Sequence, residues 1–109
     1  MSKRPTDLLI NDIRESIDRI GEYTKGMSLE EFTKDQKSID AVARNLEIMG
    51  EAANRLPDEF KESHSEIEWF KIVGLRHRIV HEYFGVDLEI IWRILQKNLP
   101  ELRRSLSQI

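Results

Sequence analysis

"GLRHRIVHEYF", residues 74–84, decides how this chain is read, because it is a helix-like run with an arginine where its apolar stripe should continue. On a wheel of about 100° per residue, Trp69, Ile72, Val73, Ile79, Val80 and Tyr83 fall on one broad arc, with Arg76 near its centre. A guanidinium aimed into a packed face gives up much solvation unless a carboxylate or another acceptor replaces it. Within the chain, Asp40, Glu47 and Glu51 on the preceding long helix are the candidates. The arc could instead be a subunit interface, or a cleft reached by an anionic ligand. The bland alternative is a buried arginine tied to Glu51 or Asp40 only to fix packing.

His77 and His81 stand four residues apart and share a neighbouring face with Gly74. A glycine inside a helix costs about 1 kcal/mol relative to alanine, so Gly74 is expected to serve a close approach of backbone or ligand. Two histidines at this spacing can ligate zinc, but a stable site needs further ligands. His64 lies in a connector and Glu82 about 100° further round the wheel, so no metal site is expected. Arg76 and His81 are five residues apart and hence about 140° apart on one ideal helix, which is awkward for two groups meant to act on one phosphate. A two-fold dimer removes the difficulty, since a self-complementary interface brings each arginine toward the other subunit's histidine.

Away from this stretch the chain continues in the same helical idiom. Apolar residues recur at gaps of three and four almost everywhere, and no strand-like alternation or internal repeat is seen. A first helix follows "PTD" with Ile10, Ile13, Ile17 and Ile20 on one face, and Gly21 and Gly26 are expected to interrupt it. Ser28 and Glu31 form a capping-box pattern that starts a short helix. A long helix is expected from Asp35 to Leu56, with Ala41, Ala43 and Ala52 as small faces and Pro57 as its stop. "DEFKESHSE" reads as a polar connector, and the helix bearing Arg76 should run from Ile67 to Tyr83 with Gly85 at its exit. Asp87 caps a last helix in which Pro100 makes a kink or a restart. The expected fold is all-α, an antiparallel bundle of four to five helices in a single domain spanning residues 1–109.

Composition limits the chemistry. With 109 residues the chain holds one core, and no apolar run approaches the roughly 20 residues of a membrane-spanning helix. No secretory signal is visible, so the expected location is cytoplasmic. There is no cysteine, so disulfides and thiolate chemistry are excluded. Residues 1–70 hold ten basic against sixteen acidic side chains, a net of −6, while residues 71–109 hold seven against four, a net of +3. On charge alone this reads as an ordinary mixed surface with a locally basic C-terminal third.

"RHRIVHEY" fits the pattern Arg, four residues, His, one residue, Tyr, and resembles the signature of the HepT group within the HEPN superfamily of small helical domains. "DAVARNLEIMGEAANRL", "GLRHRIVHEYFGVD" and "IWRILQKNLPEL" resemble successive helices of HepT-like proteins, so the likeness covers most of the chain. The resemblance implies a homodimeric, metal-independent endoribonuclease acting as the toxin of a type VII-like toxin–antitoxin pair. Its antitoxin would be an MntA-like minimal nucleotidyltransferase that moves AMP from ATP onto the motif tyrosine. The toxin itself would need no cofactor. Carried over by position, Arg76 and His81 would be catalytic and Tyr83 the AMPylated acceptor. The position after the motif arginine is commonly asparagine in this group and here is His77, which is assigned with Glu51 and Asp40 as accessory.

The residue types suit that chemistry. RNA carries its own nucleophile, the 2′-hydroxyl, so cleavage needs a proton acceptor, a proton donor and positive charge on the phosphate. Histidine serves in either proton role near neutrality, and arginine offers a permanent charge with a planar set of donors. Lys71 and Arg78, on the far polar side of the helix, are further candidates for positioning RNA. The competing reading, from a different class, is a catalytically silent helical adaptor that docks a nucleotidyltransferase.

Overall fold

The structure is a computed structural model that describes residues 3–82 and 87–109, and within them every side chain except those of residues 79–82. Every regular element among the described residues is helical. Helix α1 spans Thr6–Thr24, α2 Leu29–Lys34, α3 Gln36–Arg55, α4 Asp58–Ser63, α5 Trp69–Glu82, α6 Leu88–Arg93 and α7 Leu99–Leu106. A π-helical turn, Ile94–Asn98, joins α6 to α7 as one rod. Four rods thus make the expected antiparallel bundle, and α2 and α4 are single short turns between them.

The apolar stripes explain the packing. Ile13 and Ile20 of α1, Phe32 of α2, Val42, Leu46 and Met49 of α3 and Leu106 of α7 are almost completely buried and form one continuous core. Phe32 and Trp92 stack at a tilt, with ring centroids 5.2 Å apart, which ties α2 to α6. Helix α3 packs against both α1 and α5, while α7 lies on α1. The antiparallel sense of α1 and α7 is fixed by Asp18 accepting from Arg103 Nε at 3.1 Å while Arg14 donates to the carbonyl of Leu106. Between α5 and the α6–α7 rod an open groove of about 520 Å³ remains, with Ile72, Leu75 and Leu102 on its floor.

Local details confirm some sequence expectations and correct others. The capping box of α2 is made on both sides, with Glu31 N donating to Ser28 Oγ at 3.1 Å and Ser28 N to Glu31 Oε1 at 3.0 Å. Asp87 caps α6 by accepting from Glu89 N at 2.8 Å. Gly21 does not interrupt α1, which runs on to Thr24; Thr24 is buried and returns its hydroxyl to the Ile20 carbonyl at 2.8 Å. Gly26, at φ 77°, makes the turn. The stretch read as a polar connector contains α4, because Pro57 stands at its N-cap, Asp58 and Glu59 complement the helix dipole, and Lys61 reaches the Ala53 carbonyl at 3.2 Å. Helix α5 starts two residues later than expected, at Trp69, whose indole N–H donates to the His64 carbonyl at 3.0 Å. Its exit through Tyr83 and Gly85 lies outside the described residues. The π turn ends at Asn98, two residues before Pro100, where a kink or a restart was expected, and Pro100 stands in the first turn of α7.

Candidate active site

Of the stripe expected on α5, which packs against α3, Trp69 and Ile72 are buried and Val73 packs at the edge of the core, while the side chains of Ile79 and Val80 and the whole of Tyr83 lie outside the described residues. Arg76 stands at the closest crossing of the two helices. A Cβ built on Gly50 of α3 would clash with Arg76 Cβ and lie 2.7 Å from its backbone nitrogen and 3.0 Å from its Cα. So little space separates the axes there that no long side chain can lie between them. The Arg76 side chain therefore leaves sideways along α3, and its Nε meets Glu51 Oε2 at 3.0 Å.

This corrects the expectation of a guanidinium buried in the packed arc. The stem sits at the helix contact, but the side chain is 43% exposed and its Glu51 partner 45%. Such snorkelling keeps the charge in contact with water while the backbone packs, so the desolvation penalty is largely avoided. Glu51 is confirmed as the partner, and it also stands 3.9 Å from Arg55. Asp40 is not the partner; it accepts from Gln36 at 2.8 Å and lies eleven residues, or about 16 Å of helix rise, from Glu51. Glu47, the third carboxylate considered, lines the same recess as Arg76 and lies 3.9 Å from Arg44.

The glycine expected to mark a close approach was Gly74, and nothing lies within 4 Å of a Cβ built there. Gly74 instead borders the open groove between α5 and α7. The close approach is made by Gly50, which the sequence reading passed over. Its one available signal was a glycine inside an otherwise unbroken stripe, "IMGEAA", followed two and three residues on by Ala52 and Ala53.

The other assigned residues divide by position. His77 is exposed. His81 belongs to α5 five residues after Arg76, so the separation of about 140° stands in the backbone; its side chain, like Tyr83 as a whole, lies outside the described residues. Lys71 and Arg78 line the α5–α7 groove rather than the recess at Arg76, and Lys71 pairs with Glu68 at 3.2 Å. Among the described residues no three His, Asp or Glu side chains cluster as metal ligands would, and no helix is long and apolar enough to cross a membrane.

The recess beside Arg76 has a volume of about 390 Å³ and is walled by charge: Arg4, Arg44, Arg55 and Arg76 face Asp12, Glu47 and Glu51. Arg4 holds Asp12 with two hydrogen bonds, Nε to Oδ2 at 2.7 Å and Nη2 to Oδ1 at 2.8 Å. That hydrogen bond, with the attraction of the same carboxylate, raises the Arg4 pKa above its ordinary value.

The helical bundle and the Arg-x4-His run on α5 are compatible with one class, the small HEPN-type helical domains. The chain belongs to the ribonuclease HepT-like family, whose model matches residues 13–109. It is 47% identical over 81% of its length to a protein of Caldanaerobacter subterraneus subsp. tengcongensis named "Putative RNase TTE0752", covering 79% of that chain. It is 39% identical over 93% of its length to "Probable ribonuclease HepT" of Thermococcus cleftensis, covering 92% of it. No solved structure matches. Endoribonuclease is the enzyme class that the family membership gives.

Proposed function

We propose that this chain is the metal-independent endoribonuclease toxin of a toxin–antitoxin pair, cutting RNA in the cytoplasm through a composite site at a homodimer interface. Arg76 of one subunit holds the phosphate and stabilises the charge that grows on it, while His81 of the other subunit moves the proton of the 2′-hydroxyl or of the leaving oxygen. The observation that carries this reading is the placement of Arg76. A guanidinium with five N–H donors is fixed by one carboxylate at the edge of a charged recess, which leaves donor capacity for a phosphate.

Neutralisation falls to a minimal nucleotidyltransferase antitoxin that AMPylates Tyr83 at the expense of ATP. Tyr83 follows His81 by two residues, so an added nucleotide would bring bulk and negative charge beside the reacting phosphate.

The test is growth of cells expressing the wild type, Arg76→Ala, His81→Ala or Tyr83→Phe, with intact mass taken in the presence and absence of a cognate nucleotidyltransferase and ATP. Expected are arrest by the wild type, relief by the first two changes, and AMP-sized mass additions that disappear in Tyr83→Phe. Harmless wild type that gains no mass would leave the adaptor reading in its place.

A further inference from the structure

Arg76 is one of four arginines on its recess, and the other three have no part in the site so far. Positions 44, 47, 48, 51 and 55 of α3 follow the three-four rhythm of one helix face, and all of them border the recess. Arg44 and Arg55 therefore stand at the two ends of a line about 16 Å long, with the Arg76–Glu51 pair between them.

Neither end is held firmly. Arg44 is 68% exposed and reaches Glu47 only at 3.9 Å, and Arg55 is 55% exposed and reaches Glu51 only at 3.9 Å. Pairs this long and this solvated yield readily to a stronger anion. Arg4, by contrast, is spent on Asp12. The recess thus combines four guanidinium groups with three carboxylates, all but Arg76 from residues 1–70, whose net charge is −6. The groove on the other side of α5 is a poorer surface for a polyanion: Glu66, Glu68 and Glu101 outnumber Lys71 and Arg78 above an apolar floor.

We propose that Arg44 and Arg55 form a binding track along α3 for the backbone phosphates of the RNA strand on either side of the linkage held at Arg76. The track rests on the ribonuclease reading of Arg76. Cations in a row along a helix face suit a strand whose phosphates repeat, and they bind it without regard to base sequence. Loading the track replaces the long contacts of Arg44 to Glu47 and of Arg55 to Glu51, while the shorter Arg76–Glu51 pair is kept.

The experiment measures cleavage kinetics and equilibrium binding of a fluorescent single-stranded RNA across a salt series. It compares wild type, Arg44→Ala/Arg55→Ala, and the control Arg19→Ala/Arg104→Ala, which removes equal charge from exposed sites outside the recess. Circular dichroism confirms that each variant is folded. In the Arg44/Arg55 variant KM should rise about tenfold with kcat within about twofold, and the slope of log affinity against log salt should flatten by about 1.4, the share of two phosphate contacts on a single strand. The control should match the wild type.

If wild type cleaves and the double variant keeps its KM and salt slope, or loses only kcat, the track is overturned and the ribonuclease reading stands. A wild type that binds RNA without cutting it removes the ribonuclease reading, and the slope difference then decides the track by itself. A wild type that does neither overturns both.

Discussion

Arg76 of α5 and Gly50 of α3 touch where no side chain beyond hydrogen fits, and this contact determines where the Arg76 charge goes. The backbone of α5 is pressed against α3 at the residue whose guanidinium must reach the solvent. The crossing forces the side chain out along α3 to Glu51, 3.0 Å away. A core contact and a candidate catalytic group are thus two ends of one residue.

Gly50→Ala should destabilise the fold by about 1–3 kcal/mol, because the added methyl overlaps Arg76 backbone as well as side chain and the helices must part. Gly74→Ala is expected to do the opposite. Its Cβ meets nothing, so it should gain up to about 1 kcal/mol from helix propensity. Urea unfolding of both variants checks the pair, and equal effects would contradict the crossing described above.

Glu51→Gln removes the charge that holds Arg76. The pair is nearly half exposed on both sides, so stability should change by less than about 1 kcal/mol. Cleavage should nevertheless fall by about tenfold as Arg76 loses its fixed position. Glu30→Gln, which removes an exposed carboxylate paired with Lys34 on α2, should leave cleavage unchanged. Parallel assays of melting temperature and kcat/KM separate the two carboxylates.

Mixing inactive subunits tests whether the site is shared. Arg76→Ala and His81→Ala should each lower cleavage by at least about 100-fold. A heterodimer of the two variants contains one site with both native residues and one with neither. Activity should therefore return on mixing and subunit exchange, at up to half the wild-type level per heterodimer. If both residues acted within one subunit, mixing would restore nothing.

Chelation should leave cleavage intact. Treatment with EDTA followed by dialysis is expected to change kcat by less than about twofold, since the proposed chemistry uses an arginine and histidine proton transfer in place of a Lewis acid. Loss of activity that zinc or magnesium restores would place the histidines of α5 in a different role.

Much of this molecule was legible in its sequence, for physical reasons that act over short distances. The three-four spacing of Ile10, Ile13, Ile17 and Ile20 can be buried only by a helix, and those four residues are buried. Ser28 with Glu31, and Asp87 with the residues after it, cap helices through contacts within four positions, so their roles follow from spacing alone. The same locality misled at Gly21 and in "DEFKESHSE". Breaker and connector signals there were overruled by the burial of Thr24 and by the packing of Phe60 against His64 and Trp69, at 4.6 and 6.0 Å between rings.

The sequence by itself determined that the chain is a helical bundle, that Arg76 belongs to the stripe of its helix, and that its motif is that of a ribonuclease family. Only the tertiary structure decided which carboxylate holds the arginine, which glycine admits it, and that Arg4, Arg44 and Arg55 share its recess. Helical periodicity states which residues look the same way, and says nothing of how near two axes pass or what stands across from them. The charge count along the chain pointed to the C-terminal third as the basic part. The recess draws three of its four arginines from the acidic remainder, because α3 and the residues leading into α1 come beside Arg76 in space and not in sequence.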